Sequence, residues 1–113
     1  MDKECYKNKK FTETGFNYTL SMINGRYKLT ILYALYIFNT MRYNELKKYV
    51  GVVSHKTLSL TLKELEKDNL IIRKEYPQIP PKVEYSLSSK GSSFIPILSD
   101  MCYWGEEQQK QIA

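Results

Sequence analysis

Histidine occurs once in this chain, cysteine twice, tryptophan once and proline four times among 113 residues. Each scarcity removes a class of function. Cys5 and Cys102 lie almost a full chain apart and make no disulfide framework. With His55 alone beside them, no structural zinc site is expected, and no metal or cofactor is called for. Glycine occurs five times and nowhere as a phosphate-cradling loop. No nucleophile–base pair or carboxylate pair stands out, so an enzyme is not expected. The longest charge-free run, Leu29 to Met41, spans thirteen residues, too few to cross a bilayer. The opening "MDKECYKNKKF" has charges but no apolar stretch behind them, so export is not expected and the cytoplasm is the expected location.

What the chain does have is positive charge in particular places. The formal net charge is +5. Residues 42–82 hold nine Lys/Arg against five Asp/Glu, residues 1–41 six against three, and residues 83–113 two against four. A basic middle with an acidic C-terminal quarter suits a polyanionic partner. At 42% hydrophobic and 26% charged, the composition is that of one globular domain with a modest core. A basic arm is expected over residues 1–16 and the folded domain over 17–113.

Hydrophobic period then orders the elements. "NYTLSMI" before Asn24-Gly25 predicts a short helix with a glycine stop. "RYKLTILYALYIFN" is apolar nearly all round from Leu29 to Phe38, which predicts a central, buried helix. "YNELKKYV" sets Tyr43, Leu46 and Val50 on one side of a two-turn helix, and "GVV" makes a tight connection. Ser54 is a suitable N-cap for "HKTLSLTLKELEKDN", where Leu58, Leu62 and Leu65 form the apolar stripe and Asn69 can close the helix. The opposite face carries Lys56, Ser59, Leu60, Lys63 and Lys67. "LIIRKEY" and "KVEYSL" predict two strands, Val83, Tyr85 and Leu87 alternating with polar neighbours, joined by a proline-rich loop of about seven residues. Ser88 caps one long final helix with Pro96 as an early kink. Helix, tight turn, helix and hairpin make a winged helix-turn-helix, mainly α with a small β-hairpin.

Four stretches, "INGRYKLTILYAL", "MRYNELKKYVGVVSHKTLSLTLKELEKDNLI", "PPKVEYSLSSKG" and "LSDMCYWGEE", resemble in that order the HxlR-type regulators, relatives of the MarR winged-helix repressors. The resemblance runs from about Tyr18 to Glu107. It implies a homodimer built by the terminal helices and a helix from Ser54 laid in the DNA major groove. Three positions depart from the pattern. Thr14 occupies the place of the family's N-terminal sensor cysteine, with Cys5 nine residues earlier; Tyr27 replaces the usual tryptophan; Leu60 takes a typically polar position.

The expected function is a DNA-binding transcriptional regulator, a repressor on a palindromic operator. Ser54, His55, Lys56, Ser59, Leu60 and Lys63 are the candidate reading-helix contacts, with Arg42 and Lys82 assigned to phosphates. The bland alternative for these lysines is a solvated basic face. Two rivals stay open. One is a winged-helix protein-interaction module without sequence-specific DNA binding, which would use Leu60 and the acidic "GEEQQ". The other is a thiol-based redox-sensing regulator acting through Cys5, whose surroundings (Lys3, Lys7, Lys9, Lys10) favour a reactive thiol. Cys102, beside Met101 and Trp104, is expected as a buried interface cysteine, and the tyrosines as core or interface. No effector is named by the sequence.

Overall fold

The computed structural model describes Met1 to Ile112. Its elements are α1 (Lys3–Lys7), a 3-10 turn (Phe11–Glu13), α2 (Gly15–Ile23), α3 (Lys28–Phe38), α4 (Tyr43–Val50), α5 (His55–Lys67), β1 (Ile71–Tyr76), β2 (Lys82–Leu87), α6 (Ser89–Ser93) and α7 (Ile95–Ile112). The described segment before α2 contributes no buried residue.

The core gathers the inward faces of α3, α4, α5 and the hairpin around Ile31, Leu32, Leu35, Leu46, Leu58 and Leu65, all fully buried. The expected α5 stripe is inside: Leu58, Leu62 and Leu65 are at most 2% exposed. Each such leucine contributes about 1.5–3 kcal/mol of burial, which fixes which face of α5 is left outside. The helix ends in a Schellman arrangement. Asn69 takes a left-handed φ of 60°, its N–H donates to the Glu66 carbonyl, and the Leu70 N–H donates to the Leu65 carbonyl, both at 3.0 Å. Gly51 supplies the other reversal, at φ 94° in the turn between α4 and α5.

Strands β1 and β2 pair antiparallel, Tyr76 opposite Lys82 and Ile71 opposite Leu87. Tyr85 is buried on the face turned to the helices. It also exchanges two backbone hydrogen bonds with Met41 (3.0 and 2.8 Å), so one residue before α4 acts as a third strand. A single pair has no period, and sequence patterning cannot show it.

Three expectations are corrected. The loop between the strands is five residues, 77–81, shorter than the seven expected. The final helix is two: α6 ends at Ser93 and α7 begins at Ile95, because Pro96 has no N–H and its ring collides with a carbonyl one turn back. Gly91, inside α6, has a packing reason instead, since a Cβ there would lie 2.1 Å from the Leu70 carbonyl oxygen. Third, α3 is not enclosed all round. Ile31, Leu32, Ala34 and Leu35 are buried, but Tyr36, Ile37 and Phe38 are each about half exposed. Beyond Leu98, no described residue of α7 is buried.

Candidate nucleic-acid interface

Ser54 starts α5. Its hydroxyl accepts from the Thr57 N–H and donates to the Thr57 hydroxyl, both at 3.0 Å, so the side chain is occupied as a cap. The anchored leucine stripe leaves His55, Lys56, Leu60 and Lys63 exposed and Ser59 half-buried on the outer face. The first turns of this helix therefore present an imidazole, two ammonium groups, a hydroxyl and a leucine that is 55% exposed.

Four contacts hold that face in place. Tyr27 donates its hydroxyl to the Val52 carbonyl at 3.1 Å and steadies the turn before α5. The Lys28 ammonium, almost wholly buried, pairs with Glu64 Oε2 at 3.0 Å and ties α3 to the middle of α5. Thr61 donates to the Thr57 carbonyl at 2.7 Å. Tyr43, expected only as a member of the apolar stripe of α4, brings its hydroxyl within 3.0 Å of His55 Nδ1, with the rings stacked. No sequence signal marks this pair, which is twelve residues apart and on different helices.

Arg42 is exposed at the start of α4, where its backbone N–H donates to Glu45 Oε1 at 2.8 Å. No described carboxylate pairs with its guanidinium. Lys82 is differently placed. It sits at the loop end of the hairpin with Glu84 Oε1 at 2.8 Å and its ammonium 4.8 Å from the Tyr76 ring centre, where Lys74 also lies at 4.9 Å.

The neighbouring strand adds a cation that sequence reasoning missed. Arg73 lies on the Tyr85 side of β1, where alternation turns it towards the helices. The Tyr85 phenol on the same face, and Glu75 at 3.4 Å, hold its guanidinium above the ordinary arginine pKa. Between α5 and the hairpin is a cleft of about 430 Å³ lined by Tyr43, Ser59, Lys63, Glu66, Arg73 and Tyr85. An arginine in a strand of mixed charge has no pattern to distinguish it; only the fold sets it opposite Lys63.

Both thiols are exposed in the single chain. Cys5 is on α1, where Lys7 pairs with Glu4 at 2.9 Å and Lys9 lies over Tyr6 at 5.3 Å, so two of its four neighbouring lysines are engaged elsewhere. Cys102 borders the groove between α3 and α7 together with Tyr33, Leu98 and Tyr103. Among the described residues no cluster of His, Cys, Asp and Glu could hold a metal ion, and no helix is long and apolar enough to cross a membrane.

A helix capped at Ser54, held against a tight turn and flanked by a two-stranded wing, is a winged helix-turn-helix. The family model described as HxlR-like helix-turn-helix matches residues 22–113. The chain belongs to the HxlR-like helix-turn-helix family. Among its relatives, the uncharacterized HTH-type transcriptional regulator BH0655 of Halalkalibacterium halodurans is 50% identical over 103 residues, 91% of each chain. Of solved structures, the HTH-type transcriptional regulator ytcD superposes with a TM-score of 0.81 at 38% identity, over 86% of this chain and 98% of the other. The redox regulator HypR in its oxidized form superposes at 0.77 and 37% identity, over 83% and 96%. The fold described above is thus shared, over most of the chain, with these two solved structures.

Proposed function

We propose that the protein, a helix-turn-helix transcriptional regulator of the HxlR-like family, represses transcription by binding a palindromic operator as a homodimer in the cytoplasm, without catalysis. The observation that carries this reading is the outer face of α5. Lys56 and Lys63 are exposed on it beside His55, Ser59 and Leu60, while the opposite stripe is locked in the core. Short polar and cationic groups on the first turns of an exposed helix suit base edges in a major groove, with Leu60 against a thymine methyl. Arg42 and, on the wing side, Arg73 and Lys82 suit flanking phosphates.

The dimer is supported by what the single chain leaves uncovered. Tyr36, Ile37, Ile97, Met101, Tyr103 and Trp104 are each between 47% and 70% exposed, on two helices that border one groove. Such an area of apolar surface calls for a partner. A second copy covers it symmetrically and sets two α5 helices towards successive major grooves, about 34 Å apart.

Selection of bound fragments from genomic DNA, followed by mobility shifts at two salt concentrations, tests this. A palindromic consensus bound by a dimer, with affinity falling steeply in salt, is the expected result. Binding to no duplex, with capture of a protein through Leu60, would favour the interaction-module reading. A second reading has a specific observation behind it: Cys5 and Cys102 are both exposed and HypR is named a redox regulator. DNA affinity with and without a thiol oxidant, compared between the wild type and Cys5→Ser, decides whether Cys5 senses.

A further inference from the structure

Tyr43 does more than fill a place between α4 and the core. Its phenol oxygen is 3.0 Å from His55 Nδ1, 3.2 Å from the His55 carbonyl oxygen and 3.4 Å from Ser59 Oγ. The phenol and imidazole planes are inclined by only 14°, with centroids 5.7 Å apart. The imidazole is thus held on one face by a ring and at one nitrogen by a hydrogen bond. Turning the ring over would put Cδ2 where Nδ1 stands and lose the hydrogen bond.

A phenol has one proton to give, and a neutral imidazole has one donor nitrogen and one acceptor nitrogen. If Tyr43 gave its proton to Nδ1, nothing would be left for the His55 carbonyl. If Nδ1 carries the proton, the phenol oxygen accepts from Nδ1–H and from Ser59 and gives its own proton to the carbonyl. Only the second arrangement satisfies all three contacts.

We infer that Tyr43 fixes His55 in the Nδ1-protonated tautomer, so that Nε2 faces outwards as a hydrogen-bond acceptor and selects an amino group on the partner. In a major groove the amino donors are adenine N6 and cytosine N4, while guanine and thymine offer oxygen acceptors. Tyr43 is then a positioning residue that sets specificity without touching a base. The step from tautomer to base rests on the placement of α5 proposed above; the tautomer itself does not.

Two measurements keep those parts distinguishable. Since the chain has one histidine, a long-range proton–nitrogen correlation spectrum at mildly alkaline pH contains a single imidazole system. The free wild type is expected to show protonated Nδ1, and Tyr43→Phe, which keeps the ring and loses the hydroxyl, to show a mixture or protonated Nε2. A wild type with protonated Nε2, or a spectrum unchanged in Tyr43→Phe, overturns the inference. In selections from random duplexes, the wild type is expected to prefer adenine or cytosine at one position of each half-site. Tyr43→Phe should lose about tenfold of that preference with the salt dependence unchanged. Full preference retained in the variant overturns the specificity role. A wild type that selects no sequence overturns the DNA reading instead, and the spectrum alone then decides the tautomer.

Discussion

Lys28 and Glu64 meet at 3.0 Å, the lysine side chain 7% exposed and the glutamate 47%, so the two ends of one ion pair stand in different solvents. That asymmetry predicts unequal costs of breaking it. Glu64→Ala strands a buried ammonium and should destabilise by about 3 kcal/mol. Lys28→Met keeps the apolar stem, leaves a carboxylate that water can reach, and should cost about 1 kcal/mol. The double variant should be more stable than Glu64→Ala alone. Urea denaturation of the four proteins, read as a double-mutant cycle, checks the order.

Gly91 allows α6 to lie against the end of α5. Because a Cβ would sit 2.1 Å from the Leu70 carbonyl oxygen, Gly91→Ala must push α6 away from the strand it caps. The expected loss is about 3 kcal/mol, seen as a lower urea midpoint. Gly105→Ala, where a Cβ meets nothing, is the control and should stabilise slightly if anything.

The two cations first assigned to phosphates should behave differently. Arg42 has no described carboxylate partner, so Arg42→Ala should flatten the log–log salt dependence of DNA binding by about one unit per chain. Lys82 already faces Glu84 at 2.8 Å and leans on Tyr76, so Lys82→Ala should change the slope by clearly less. Mobility shifts across a salt series measure both.

Much of this arrangement was legible beforehand for physical reasons. Leu58, Leu62 and Leu65 repeat at helical spacing, so their burial follows from period alone, while of the alternating Val83, Tyr85 and Leu87 only Tyr85 is buried and the other two are half-buried. Asn69 tolerates left-handed backbone, which is why it could be expected to close α5. What was hidden depends on residues distant in the chain. Nothing local shows that the Tyr43 hydroxyl turns to His55, that Lys28 reaches Glu64, or that Arg73 lies across a cleft from Lys63. The apolar sweep of α3 misled for a related reason. Tyr36 and Ile37 look like core in sequence, because a surface awaiting a partner and a surface already buried have the same composition.

Trp104 is 70% exposed and Tyr103 67% exposed on α7, in a helix with nothing buried after Leu98. If a second chain covers them, a charge there is removed from water on association and opposes it. Trp104→Glu should therefore convert the dimer to a monomer in sedimentation equilibrium, while circular dichroism and the urea midpoint of the monomeric domain show α3, α4, α5 and the hairpin still folded. Operator affinity should fall at least about a hundredfold, because a single α5 reads one half-site. The paired substitution Lys56→Ala with Lys63→Ala should do the opposite, leaving the dimer intact and removing sequence preference. If Trp104→Glu still sediments as a dimer, the terminal helix is not what joins the copies.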